Sequence, residues 1–151
     1  YPNIRKVVYL DIPPTLYVGS EYLKSIFGLS VKTYSELRNR DGNISFSDND
    51  DLEILCIAPW QIEDLDLDID YFTNANSFTE MPLEVVKNYV EHIKKYLKQN
   101  GQVGLVSYTG NEGITIPSFE IAELFDLKYS HVQESRMIEP GYTEDYFIMP
   151  C

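Results

Sequence analysis

Lys6-Val7-Val8-Tyr9-Leu10-Asp11-Ile12-Pro13-Pro14 decides how the rest of the chain is read. A continuous apolar run with adjacent valines suits a strand buried in a parallel sheet. The run stops at Asp11, and the paired prolines cannot extend a central strand. Thr15 can then cap a helix through about Phe27, with Leu16, Gly19, Leu23, Ile26 and Phe27 facing inward and Gly28 as the stop.

Downstream the same alternation repeats. Residues 38–51 are polar and turn-rich, which predicts a surface excursion. Apolar runs at 52–58, closed by Pro59-Trp60, and at 69–73 read as further strands. The strongest helical pattern runs from Pro82 to Gln99. Its stripe is Val86, Tyr89, Val90, Ile93 and Leu97, with Glu84 near the start, Lys94, Lys95 and Lys98 near the end, and Asn100-Gly101 as the stop. A strand over 102–108 follows, then a short helix opened by Pro117-Ser118 and packed through Phe119, Ile121, Ala122, Leu124 and Phe125. The tail reads as two antiparallel strands, around 129–138 and 145–149, turned by Pro140-Gly141. Strands alternating with helices predict an α/β fold: one domain over 1–151, with a mostly parallel sheet and a closing hairpin that adds an antiparallel strand at one edge.

The composition narrows the function classes. Twelve Lys and Arg against 24 Asp and Glu give a net charge of -12, unsuited to nucleic acid or to an anionic membrane surface. The two cysteines form no disulfide framework, and Cys56 lies within Leu52-Glu53-Ile54-Leu55-Cys56-Ile57, where it reads as a small buried hydrophobe. No segment approaches the ~18 apolar residues of a membrane span, and no signal peptide precedes the first strand, so a cytoplasmic setting is expected.

Open α/β sheets bind ligands beyond the carboxyl ends of their strands. That rule singles out Asp11–Pro14, Ala58–Gln61, Thr73–Met81 and Ser107–Asn111. A carboxylate at Asp11 either accepts the hydroxyls of a ribose or stands at a helix start, where the dipole favours it. The only indole, Trp60, either stacks on a flat heterocycle such as adenine or covers a core. Between a strand and a helix, Thr73, Asn74, Asn76, Ser77 and Thr79 crowd hydroxyls and amides into a turn that needs only one cap. Such groups can hold the amino-acid part of a cofactor or orient a substrate, or serve ordinary loop chemistry.

Other candidates are weaker. His92 on the main helix and His131 on a late strand are single histidines without a partner at catalytic spacing. Ser77 has no histidine nearby in sequence to activate it, no metal-ligand spacing occurs, and the acids between Asp48 and Asp70 lack a calcium-loop pattern. The glycines contain no G-x-G pair. A dinucleotide-type fold therefore predicts its first strand and glycine loop upstream of Tyr1, and the edge so exposed would favour pairing between copies.

Tyr9-Leu-Asp-Ile-Pro-Pro-Thr-Leu16, Glu21-Tyr-Leu23, Ile57-Ala-Pro-Trp-Gln-Ile62 and above all Ile69-Asp-Tyr-Phe-Thr-Asn-Ala-Asn-Ser-Phe-Thr-Glu-Met81 resemble the proposed sugar O-methyltransferase family. That family belongs to the S-adenosylmethionine-dependent, class I methyltransferases, with a Rossmann-like sheet. The resemblance spans about Val7 to Asn111, and its most specific string is N-x-x-S-F-x-E-M. It implies that Asp11, with Ile12 beside it, takes the ribose of S-adenosyl-L-methionine, that Pro59, Trp60 and Gln61 lie by the adenine, and that Asn74, Ser77 and Phe78 lie near the methionine part. It also implies that Glu80-Met81 begins the helix behind them and that the acceptor is a sugar or other small hydroxylated molecule. The family's glycine-rich loop is not in this sequence, and no catalytic base is identified. The residues alone leave two alternatives: an acidic, non-catalytic α/β interaction module, and a nicotinamide-linked dehydrogenase, which the terminal hairpin disfavours. The methyltransferase reading requires Asp11 and the turn around position 75 to line one crevice.

Overall fold

The computed structural model describes residues 3–39, 42–108, 116–125, 131–139 and 142–150. They divide into two compact units, Tyr1–Leu67 and Asp68–Cys151, each with its own sheet.

The first unit contains β1 (Lys6–Leu10), α1 (Thr15–Phe27), β2 (Val31–Lys32), α2 (Tyr34–Leu37) and β3 (Glu53–Ile57). Both β1 and β2 run parallel to β3, in the order β1-β3-β2. β3 is central and wholly buried: Ile54–Ile57 are apolar throughout, and the buried Glu53 at its start is held by the Ser47 N–H and the Lys6 ammonium. β1 was expected to be buried, but with one sheet neighbour among the described residues it is half-buried along its length.

Helix α1 has the expected bounds but not the expected cap or face. Pro14 stands at the cap position, and helical bonding begins with the Leu16 N–H donating to the Ile12 carbonyl at 2.9 Å. Leu16 and Ser20 are buried and Leu23 partly so, whereas Ile26 and Phe27 are exposed. The apolar cluster of Leu16, Val31, Ile54, Cys56 and Ala58 takes Leu16 and Leu23 but does not extend to the last helical turn. Gly28 ends the helix at φ 57°, a left-handed geometry that glycine adopts without steric cost.

The polar stretch after α2 is more firmly held than its composition suggests. Ile44 is buried and makes a parallel bridge to Leu65, and Ser47 donates its backbone N–H to the buried Glu53 carboxylate at 2.8 Å.

The second unit contains β4 (Ile69–Ala75), α3 (Leu83–Tyr96), β5 (Leu97–Tyr108), α4 (Ser118–Leu124), β6 (His131–Glu139) and β7 (Tyr142–Pro150). Its sheet has the order β4-β5-β7-β6, with β4 parallel to β5 and β7 antiparallel to both β5 and β6. The terminal hairpin is therefore present, but its reversed strand β7 lies one place in from the edge and β6 is outermost. The expected turn residues Pro140 and Gly141, and the strand start at Tyr129, lie outside the described residues.

Helix α3 buries Val86, Val90, Ile93 and Tyr96, a stripe at helical spacing, and the first three pack in one cluster with Val103, Leu105, Ile121 and Phe125. It ends three residues earlier than its sequence pattern predicts. Leu97 turns extended to pair with Ile69, while the Lys98 ammonium reaches Asp70 at 2.7 Å, so strand pairing wins over helical propensity. The register of β5 against β4 shifts between Leu97 and Gln102, and Gly101 lies in that irregularity rather than at a helix stop; a methyl group there would meet the Leu97 side chain at 2.7 Å. In α4, Ile121, Ala122 and Phe125 are buried as expected, but Phe119 is exposed. No helix among the described residues is long and apolar enough to cross a membrane.

Candidate functional site

In the first unit the parallel register brings two of the predicted segments to one sheet edge. Leu10 pairs with Ile57, so β1 delivers Asp11 and β3 delivers Ala58-Pro59-Trp60 at the same carboxyl end. The Asp11 N–H continues the ladder by donating to the Ile57 carbonyl at 3.3 Å.

The Asp11 carboxylate is held from two sides. Its Oδ2 accepts the Tyr9 hydroxyl at 2.9 Å, and its Oδ1 accepts the Ile12 N–H at 2.8 Å. Tyr9 and Asp11 are two residues apart on a strand direction, which puts both side chains on one face. The carboxylate bonds to the Ile12 N–H just ahead of α1, so its place at a helix start is compatible with both sequence readings. Burial, followed by the hydrogen bond and negative charge of Asp11, pushes the Tyr9 hydroxyl up to about 12. Tyr9 therefore remains a proton donor to Asp11 at any physiological pH. Ile12 itself is exposed.

Past β3 the chain enters a 3-10 turn over Pro59–Asp64. Gln61 is buried, and its Oε1 accepts the Ala58 N–H at 3.0 Å while its own N–H donates to the Ala58 carbonyl at 2.9 Å. Its amide is thus committed to fixing the turn. Pro59 occupies a first-turn position, where its fixed φ fits. Trp60 projects outward, 60% exposed, with its ring edge-on to Tyr34 at a centroid distance of 5.9 Å. An indole held at one edge and open on the other side offers a stacking face.

In the second unit the amide-rich segment is partly strand. β4 carries the chain through Thr73, Asn74 and Ala75, and the turn proper starts at Asn76, whose φ of 62° is the left-handed geometry that asparagine tolerates. Asn76 donates its N–H to the Val106 carbonyl at 2.7 Å, and its own carbonyl accepts both the N–H and the hydroxyl of Thr79. Thr79 therefore closes this turn and does not cap α3, whose cap position is Pro82. Asn74 reaches across the turn, with Nδ2 donating to the Ser77 hydroxyl and Oδ1 accepting the Phe78 N–H at 3.3 Å. Phe78 is buried beside Phe72 and Tyr89, each at a centroid distance of 6.0 Å, so it anchors the turn in the core. Asn74 and Ser77 remain half-buried at the strand end.

The structure thus groups Asp11, Ile12, Pro59, Trp60 and Gln61 within one unit, and Asn74, Ser77 and Phe78 within the other. Sequence reasoning missed Tyr9, although its spacing from Asp11 was a usable signal. It also missed Tyr34, which no spacing rule connects to Trp60. His92 is half-buried on α3, and His131 opens β6. Of the Ser107–Asn111 segment, β5 reaches Tyr108 and the remainder lies outside the described residues. Among the described residues no three His, Cys, Asp or Glu side chains are grouped to hold a metal ion. Cys56 is buried, and burial followed by the charge of Glu36 pushes its thiol up to about 11, which makes it a poor nucleophile.

No protein-family profile and no curated protein matches this sequence. Solved structures do. The pyocyanin biosynthetic protein PhzM superposes with a TM-score of 0.52 at 10% identity, over 94% of this chain and 42% of PhzM. A Sulfolobus solfataricus protein described as a type 11 methyltransferase superposes with a TM-score of 0.52 at 15% identity, over 98% of this chain and 84% of its own. The chain thus spans less than half the length of the first of these and most of the second. Its mixed α/β, mostly parallel architecture is the Rossmann-like methyltransferase fold.

Proposed function

We propose that this chain belongs to an S-adenosylmethionine-dependent O-methyltransferase that acts in the cytoplasm on a sugar or another small hydroxylated acceptor. The observation that carries this reading is the Asp11 carboxylate at the end of β1, held by two protein donors with one acceptor position open on each oxygen among the described residues. That donor set fits a ribose, whose vicinal hydroxyls need two adjacent acceptors. The fold likeness and the N-x-x-S-F-x-E-M string support the same assignment.

Each residue then has a physical role. Asp11 accepts the ribose hydroxyls, with Ile12 shaping the floor beside it. Trp60 and Pro59 flank the adenine, and Gln61 keeps their turn rigid. Asn74 and Ser77 supply the polar groups for the methionine part, and Phe78 pins their turn to the core. S-adenosylmethionine, when bound, would supply an electrophilic methyl group for an acceptor hydroxyl, leaving neutral S-adenosylhomocysteine and releasing the hydroxyl proton. The chain's contribution is alignment of donor and acceptor, which can supply much of the acceleration of such a transfer. The net charge of -12 favours neutral or weakly charged acceptors over nucleic acid.

Incubating the full-length protein with methyl-labelled S-adenosylmethionine and a panel of free and nucleotide-linked sugars tests this. Label transferred to one acceptor class, and lost in Asp11→Asn, is the expected result. A protein that neither binds the donor nor transfers label favours the non-catalytic reading, to which the exposed apolar side chains Tyr17, Val18 and Tyr22 on α1 also lend themselves.

A further inference from the structure

The Asp11 carboxylate has a support that the functional reading does not itself require. Tyr9 stands beside it on the same strand face, and the hydroxyl of Tyr9 reaches Oδ2 at 2.9 Å. The tyrosine ring can lie there only because position 19 of α1 has no side chain. A methyl group at Gly19 would sit 2.7 Å from the ring carbons Cε1 and Cζ and closer still to the hydroxyl, well inside van der Waals contact. Gly19 has no φ requirement of its own, and a glycine inside a helix weakens the helix. Its presence is explained by the space that it leaves.

A carboxylate offers about four lone-pair directions. The Ile12 N–H uses one on Oδ1 and the Tyr9 hydroxyl one on Oδ2. Among the described residues each oxygen thus keeps room for one further donor, and the carboxylate can accept two hydroxyls at once, one on each oxygen. That is the demand of a vicinal diol. A carboxylate held from one side only would rotate about its Cβ–Cγ bond and lose this pairing.

We propose that Tyr9, seated through the gap at Gly19, is a positioning residue that fixes the plane of the Asp11 carboxylate for a vicinal diol. The inference deepens the cofactor reading above and rests on it. Tyr9 does not touch the ligand. Its raised hydroxyl, held near 12, keeps it a donor over the whole working range.

The test is a pair of binding titrations by calorimetry, with S-adenosylhomocysteine and with its 2′-deoxyribosyl counterpart, on the full-length protein. A hydrogen bond to a charged acceptor is worth roughly a 10- to 100-fold preference for the ribosyl form in the natural protein. Tyr9→Phe is expected to cut that preference by about tenfold while leaving affinity for the deoxy form within about twofold. A general structural defect would weaken both ligands together. Gly19→Ala retains the hydroxyl but denies it its seat, and alanine favours helix, so this second variant reaches the same contact from a fold-compatible side. It should show the same loss, and the double variant should be no worse than either. Full ribose preference in both single variants, with preference lost in Asp11→Asn, would overturn the positioning role and leave the cofactor reading standing. No ribose preference in the natural protein, or preference retained in Asp11→Asn, would bring down the cofactor reading and this inference with it.

Discussion

Replacing Glu53 by glutamine removes one charge from the first unit without changing the shape of the side chain. Glu53 begins the central strand and is buried, and its Oε2 accepts the Ser47 N–H at 2.8 Å and the Lys6 ammonium at 3.4 Å. Burial raises its carboxyl pKa, but the Ser47 N–H and the Lys6 ammonium outweigh that and lower it from the ordinary glutamate value of 4.5. A hydrogen bond to a charged group stabilises by about 1 kcal/mol more than a neutral one. The Ser47 bond contributes that in full. The Lys6 pair, long and with the lysine 24% exposed, contributes about half as much after solvent screening. Glu53→Gln should therefore cost about 1.5 kcal/mol at neutral pH, or ~3–6 °C in the unfolding temperature of a chain of this size. Trp60 is the only tryptophan and lies in the same unit, so its emission during urea unfolding reads the unit that holds Glu53. Because the folded-state value is depressed, the stabilisation is fully present above the unfolded value and is lost as pH falls through the folded one. The difference between natural and variant protein should be constant from pH 7 to about 5 and shrink toward zero below about pH 4. A difference under ~0.5 kcal/mol at pH 7, or one of undiminished size at pH 3, would refute the assignment of charge as the stabilising element.

Three further outcomes follow from the geometry. Leu105→Ala, at a buried position in the second core, should cost about 3 kcal/mol, seen in circular-dichroism unfolding. A change below ~1 kcal/mol would mean that this core is not packed as described. Asn74→Ala removes the bonds to Ser77 and to the Phe78 N–H, for a loss of about 1–2 kcal/mol and faster amide exchange at Phe78; unchanged exchange would show that the turn does not depend on the amide. Cys56, buried and with its thiol near 11, should resist iodoacetamide at pH 8 in native protein and react after denaturation, as peptide mass mapping will show. Rapid native labelling at Cys56 would contradict its burial.

Much of this was legible in the residues because hydrophobic period and punctuation were clear. Lys6–Leu10, 52–58 and 69–73 read as strands and fold as strands, and Val86, Val90 and Ile93 point inward as their spacing requires. What failed was set by contacts distant in sequence. No local signal says that Leu97 will leave its helix to pair with Ile69, or that β7 will insert between β5 and β6. The exposure of Ile26, Phe27 and Phe119 depends on how far the facing core extends, which periodicity does not encode. At the candidate site, the strand-end rule found Asp11 and Trp60, while the commitments of Gln61 to Ala58 and of Asn74 to Ser77 and Phe78 became visible only in the folded chain. Tyr9 and Gly19 are the instructive omission: each looked like an ordinary strand or helix residue, and their meeting beside Asp11 depends on the packing of α1.

The proposed role of Asp11 is to receive the ribose of an adenosyl cofactor. Its most direct test is a calorimetric titration of the full-length protein with S-adenosylhomocysteine, repeated on Asp11→Asn. One molecule bound per chain, with affinity falling at least about tenfold in the variant, is the predicted result. Absence of binding in the natural protein, or equal affinity in the two, would contradict it.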